Sequence, residues 1–242
     1  MSKPLFEILD YLDTPLGVLY LRRRELLSRP GMIVTEVTLD SELLMSSLNT
    51  ESEIELSRRA LAWHQAGPEP KRQGLRVLVG GLGLGYTAAA ALESELVAHV
   101  RVVEHLPDVI RWTREGMIPL SEQLNGDPRV ELSLGDVYAE LLAPLPEGQE
   151  PWDLLLIDVD HTPTEHLGPT SAPFYMAQTQ ATIKKHLAPG GVLAIWSAGD
   201  DDDYAAMLAA TYKEATRERV EWVNELVNQG QEIEDVIFLA RD

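Results

Sequence analysis

Four glycines crowd into residues 80–85, at positions 80, 81, 83 and 85, directly after the apolar run Val77, Leu78, Val79. The run reads as a β-strand and the residues after Gly85 as a helix, so the chain has to turn sharply from one into the other. Glycine permits left-handed backbone dihedrals and close approach of a ligand, and the start of the following helix offers N–H groups without partners. Glu104 closes the next apolar run, 19 residues after Gly85, where a carboxylate can accept both hydroxyls of a ribose. A solvated acid at a strand end is the other reading, and the glycine loop upstream favours the ligand role. A dinucleotide fingerprint calls for glycine at 86, which here is Tyr86; the spacing of Gly81, Gly83 and Gly85 suits an adenosyl nucleoside without a pyrophosphate.

From residue 71 onward, strand-like and helix-like stretches alternate. Strands are predicted over 76–79, 100–104, 129–132, 153–158, 192–197 and 236–240, with one more over 220–226. Helices are predicted over 86–96, 107–116, 137–142, 175–186 and 203–214. Leu154, Leu155, Leu156 and Ile157 form an unbroken apolar run, as expected of a parallel strand covered by helices on both faces. This alternation predicts a doubly wound, Rossmann-like α/β domain over 71–242. Ahead of it, short apolar segments at 6–9, 18–21, 32–37 and 43–45, punctuated by turn residues at 13–17 and by Pro30 and Gly31, predict a small antiparallel β meander over 1–49. Thr50 and Glu53, spaced as a capping box, start a helix that runs to about 65 and ends at Gly67 and Pro68, so 50–70 connects the two parts.

Composition narrows the function. Lys and Arg total 20 against 39 Asp and Glu, a formal net charge of −19. Sequence-independent nucleic-acid binding needs the opposite sign, as does attraction to an anionic membrane surface, so neither partner is expected. A small cationic ligand is the class such a field favours. The chain has no cysteine, which excludes disulfides, thiolate zinc sites and cysteine nucleophiles. An N-terminus with early acids and no apolar core segment, and no apolar run of membrane-spanning length, lead to the expectation of a cytoplasmic protein. His161 and His166 flank Glu165, but no further His or Cys completes a ligand set, and no metal site is expected. The acids at 200–203 read as a solvated run that caps a helix, and Phe174 and Tyr175 as core.

Several segments then occur in one order: the glycine loop with Glu104; Asp127, Pro128, Arg129, Val130 and Glu131 followed by Gly135 and Asp136; Trp152 through Asp158; and Leu187, Ala188, Pro189, Gly190, Gly191. Together they resemble the spermidine-synthase-like, polyamine aminopropyltransferase-related branch of class I S-adenosylmethionine-dependent transferases. The resemblance covers most of the chain, since that branch also carries an N-terminal β meander. It implies a class I methyltransferase fold, with a seven-stranded sheet whose last strand is antiparallel. It also implies S-adenosylmethionine or its decarboxylated form as group donor, bound above the C-terminal strand ends, and a homodimer through the meander.

By position, the resemblance puts Gly81, Gly83 and Gly85 along the donor's amino-acid or aminopropyl side and Glu104 on the ribose. Asp136 accepts from the adenine amino group and Val137 donates through its backbone; a helix N-cap for 137–142 is the other duty open to Asp136. Asp158 matches the acid that takes the proton from an attacking amine, which arrives protonated near neutral pH. Its alternative is an acid that only anchors loop N–H groups. Asp160 is placed to assist by holding a substrate ammonium. Departures are local: Leu84 stands where aminopropyltransferases carry an acid, and of their Tyr-His-Glu element only the last residue survives, in Glu51, Ser52, Glu53. The expected activity is transfer of a methyl or aminopropyl group to a small, amine-bearing acceptor. The competing class is a non-catalytic nucleoside-binding or interaction module on the same fold.

Overall fold

Leu154, Leu155, Leu156 and Ile157 are each 1% exposed or less, and they face alternately into two different cores. This is the pattern of a strand in the middle of a sheet with both faces covered. A computed structural model describes residues 5–14, 16–40, 42–68, 70, 73–166, 170–224 and 231–242. Its strands form two sheets.

The first is an antiparallel meander of β1 (Phe6–Thr14), β2 (Gly17–Glu25), β3 (Ile33–Leu39) and β4 (Glu42–Ser46), paired in chain order. Leu19, Leu21 and Val37 point inward and join the core of the larger sheet. An irregularity in β1 between Ile8 and Asp10 re-aims the strand, and Asp10 accepts hydrogen bonds from the Trp112 indole (2.7 Å) and the Arg111 guanidinium. The meander is thereby tied to the α/β body by apolar packing and by polar contacts at its edge.

Helix α1 (Glu51–Gln65) follows, and then the second sheet. It is built from β5 (Leu75–Gly80), β6 (Val97–Glu104), β7 (Val130–Leu134), β8 (Trp152–Ile157), β9 (Leu187–Ser197), β10 (Glu214–Asn224) and β11 (Gln231–Arg241), in the order β10-β11-β9-β8-β5-β6-β7. The five strands from β5 to β9 pair in parallel, and β11 enters antiparallel between β9 and β10. On one face lie α1, α2 (Tyr86–Leu92), α3 (Pro107–Arg114) and α4 (Ser121–Gly126). On the other lie α5 (Val137–Leu142), α6 (Ala177–Ile183) and α7 (Asp202–Thr211) over an aromatic core of Tyr138, Phe174, Tyr175, Tyr204 and Phe238. Helix α1 lies against α2 and against β8 and β9, and the Ser57 hydroxyl donates to the Thr87 carbonyl at 2.6 Å. The sheet carries its last strand antiparallel, as the sequence resemblance implies.

Several boundaries differ from expectation, each for a local reason. The helix expected over 86–96 stops at Leu92, where the Arg129 guanidinium takes the Leu92 carbonyl that a longer helix would use and also bonds the carbonyls of Ser94 and Val97, and β6 begins at Val97. The helix expected over 175–186 is broken: extended Met176 separates a 3₁₀ turn (Ala172–Tyr175) from α6, and a second turn (Lys184–His186) follows. The helix expected to reach 214 ends at Thr211, and the strand expected over 220–226 begins at Glu214; its residues 225 and 226 lie outside the described residues. Charged alternation along Arg217, Glu218 and Arg219 hides a strand at the sheet edge, where charge is what keeps an edge from pairing with other molecules. Helix α4 was not expected. Thr50 is the N-cap of α1 but makes no side-chain capping bond, so the capping box does not form and Glu53 is free for another use. Among the described residues no helix is long and apolar enough to cross a membrane.

Candidate active site

Three loops meet above the C-terminal ends of the parallel strands. The Gly81 N–H donates to Val103, the Asp158 N–H to Gly80 and the Gly135 N–H to Glu104, at 2.9–3.0 Å, so the loops leaving β5, β8 and β7 are held side by side. Gly81 has φ +90°, and a Cβ there would sit 2.4 Å from the Asp158 carbonyl oxygen; only glycine lets these two loops come so close. Over them opens a cavity of about 760 Å³, roofed by Leu43, Leu44 and Met45 of the meander and walled by α1 and by β11. The size is that of a site for a nucleoside and a second small molecule.

All eight residues singled out in the sequence line this cavity: Gly81, Gly83, Gly85, Glu104, Asp136, Val137, Asp158 and Asp160. Their surroundings differ. Glu104 is 8% exposed, and its two oxygens accept the N–H groups of Leu82 (2.8 Å) and Leu106 (2.7 Å). It is therefore no solvated strand-end acid: it splints the glycine loop and keeps a second lone pair on each oxygen for a ligand. Burial pushes its carboxyl above the usual range, against those two bonds. Glu104→Ala orphans two buried donors. It is expected to cost about 1–3 kcal/mol per donor in urea unfolding, besides any loss of ligand binding; an unchanged midpoint would contradict the splint.

Asp136 does serve as N-cap of α5, its Oδ1 accepting from Tyr138 (2.9 Å) and Ala139 (3.1 Å). Its Oδ2 accepts from the Thr170 hydroxyl at 2.9 Å and faces the same cavity. Asp158 accepts from the Thr87 hydroxyl at 2.6 Å, and no backbone N–H anchors it among the described residues. Burial pushes its carboxyl up to about 6, with Asp235 adding to the shift and Thr87 opposing it. Asp160 is 2% exposed and accepts from the Tyr138 hydroxyl at 2.8 Å, which in turn lies 3.0 Å from that of Tyr175. Burial holds both phenols protonated, so they stay donors to this carboxylate. Tyr175 is thus core, as expected, and also part of the polar network under the cavity.

Three contributors were not among the site residues singled out in the sequence. Glu53, read as a cap, lines the cavity, and burial together with the neighbouring Asp158 pushes its carboxyl up to about 8. Asp235, from β11, is 4% exposed and accepts from the Ser52 hydroxyl (2.5 Å) and the Trp222 indole (2.8 Å). Thr87 is the third. Only Glu53 left a signal, as the surviving residue of the Tyr-His-Glu element. His161 also lines the cavity, whereas His166 stacks on Tyr175 and bonds the Pro163 carbonyl. The acid run does cap α7, through Asp201.

The strand order, the antiparallel β11 and the glycine turn after β5 define the Rossmann-like class I methyltransferase fold. Within it, the chain has the spermidine-synthase-like form. It superposes on a spermidine synthase solved with the transition-state analogue AdoDATO at a TM-score of 0.68, with 14% identity, over 96% of this chain and 73% of that one. Spermidine synthase from Thermotoga maritima gives 0.67 and 13%, over 96% and 72%. No family model matches the sequence, and no curated protein matches it by sequence.

Proposed function

We propose that this protein is an S-adenosylmethionine-type transferase that moves a methyl or aminopropyl group to a small, amine-bearing acceptor. The observation that carries the reading is the cavity's charge. Seven acidic side chains line it, six of them besides the neutral-leaning Glu53: Glu104 and Asp136 at one end, Asp158 and Asp160 after β8, Glu51 from α1, and Asp235. No lysine or arginine is among its described lining residues. Such a surface disfavours phosphate and welcomes sulfonium and ammonium groups. The glycine loop supports the nucleoside half: Gly83 has φ +53°, and its missing Cβ faces only the Met45 sulfur at 3.6 Å, which leaves room for a ligand against the main chain.

Glu104 would hold the ribose hydroxyls, and Asp136 Oδ2 with the Val137 N–H the adenine edge. When bound, the donor supplies an electrophilic carbon next to sulfur. Asp158 would take the ammonium proton on the oxygen not held by Thr87, freeing the amine lone pair. Trp196 and Trp222 add aromatic surface to the cavity lining, and the Trp222 indole donates to Asp235.

Methylthioadenosine at 100 times its dissociation constant is expected to add about 2.7 kcal/mol of stability in thermal melts, and NAD and NADP none. A shift with NAD alone would overturn the nucleoside assignment. Methylthioadenosine binding without turnover on a panel of di- and polyamines assigns the non-catalytic alternative.

A further inference from the structure

Glu53, Asp158 and Asp235 come from three separate elements and crowd one end of the cavity, close enough that each raises the cost of charging the next. Two of them have hydrogen-bond partners in other side chains: Thr87 for Asp158, Ser52 and Trp222 for Asp235. Glu53 has none among the described residues; its own backbone N–H is all that the carboxylate meets. Ser52, next in the chain, is pinned to Asp235, which fixes the first turn of α1 and leaves Glu53 aimed into the cavity. Buried like charges without a cation are unfavourable, and folding alone gives no reason for placing a third acid there. Leu84, on the adjoining glycine loop, contributes no charge.

We infer that Glu53 is the counter-ion for a primary ammonium on the ligand, and that it gives up a proton to solvent as that ammonium binds. The inference rests on the transferase reading for its ligand class but not for its logic. The groups facing Glu53 are Glu51 on its own helix, Tyr86 on α2, Asp158 after β8 and Asp235 on β11; the meander's described lining residues carry no charge. All of the acids bias Glu53 toward its protonated form in the free protein, and it is held so until about pH 8. An arriving ammonium reverses that bias. The bound state then holds a carboxylate against a cation, and the released proton goes to buffer.

Titration calorimetry at pH 7 in two buffers of contrasting ionisation enthalpy tests this with three probes. Decarboxylated S-adenosylmethionine carries the ammonium on the donor, putrescine carries it on the acceptor, and methylthioadenosine has the nucleoside without it. Binding of at least one ammonium probe is expected to release close to one proton. Glu53→Gln is expected to abolish that release and to weaken the same probe at least tenfold, leaving methylthioadenosine within twofold. Whichever of the two ammonium probes responds identifies the source. Proton-silent binding of both, or equal weakening of methylthioadenosine, overturns the inference. So does a Glu53→Gln protein that melts below wild type, because it makes Glu53 a structural residue. If putrescine behaves as expected while methylthioadenosine does not bind, Glu53 stands and the adenosyl reading falls.

Discussion

Asp158→Asn is expected to lower turnover of an amine acceptor by a factor of about 10²–10⁴, with the fold and methylthioadenosine binding unchanged. The amide keeps the shape of the carboxylate and still accepts from Thr87, so no packing is lost. It cannot take a proton, and an amine held as ammonium has no lone pair with which to attack. The pH dependence follows from the same group. Its folded-state pKa is raised, to about 6, so the carboxylate form disappears as pH falls through that value. In wild type, kcat/KM should therefore climb as pH rises through 6 and then level off until another group titrates. Turnover of Asp158→Asn within a few-fold of wild type would remove Asp158 from the chemistry, whatever the binding data say.

Gly81→Ala should lower stability through two separate costs. The left-handed backbone costs an alanine about 1–2 kcal/mol. Forcing a methyl group into packed space adds about 1–3 kcal/mol, since the obstacle is the Asp158 main-chain carbonyl and cannot swing aside. Gly116 has a similar φ, +79°, with nothing within 4 Å of its missing Cβ, so Gly116→Ala isolates the backbone part alone. Urea denaturation of both variants should show Gly81→Ala the worse by the packing difference. Equal losses would mean that the two loops are not in close contact.

The parts of the fold that were legible are those whose burial leaves a periodic trace. β5 and β8 read clearly because both their faces are covered, so their apolar residues are contiguous and the glycines that end one and the acid that follows the other stand out. Glu104 was visible through its spacing from the glycine turn, and Asp136 and Asp158 through the resemblance, each just past the end of a strand. Asp235 was not, because Glu232, Ile233, Glu234 and Asp235 look like a solvated strand with one apolar residue. What buries Asp235 is Ser52, 183 residues away. Glu53 was left out of the site because its spacing from Thr50 also fits a cap; the local pattern was right for a helix start and silent about the cavity beneath it. The broken helix over 172–186 has no breaker at Met176, and its interruption reflects docking of Phe174 and Tyr175 into the aromatic core. The first half of edge strand β10, residues 214–219, carries the charges of a surface helix, and its pairing with β11 is what makes it a strand.

The insertion of β11 between β9 and β10 sets an order of events during synthesis. Among the described strands β10 has one neighbour in the sheet, and that neighbour follows it in chain order. A nascent chain lacking residues 231–242 carries β9 as an open edge, with Val192, Leu193, Ala194 and Ile195 ready to template a strand from another molecule. It also lacks Asp235, so the anionic end of the cavity is finished in the same step that seals the sheet. Closing the edge and completing the pocket are one docking event.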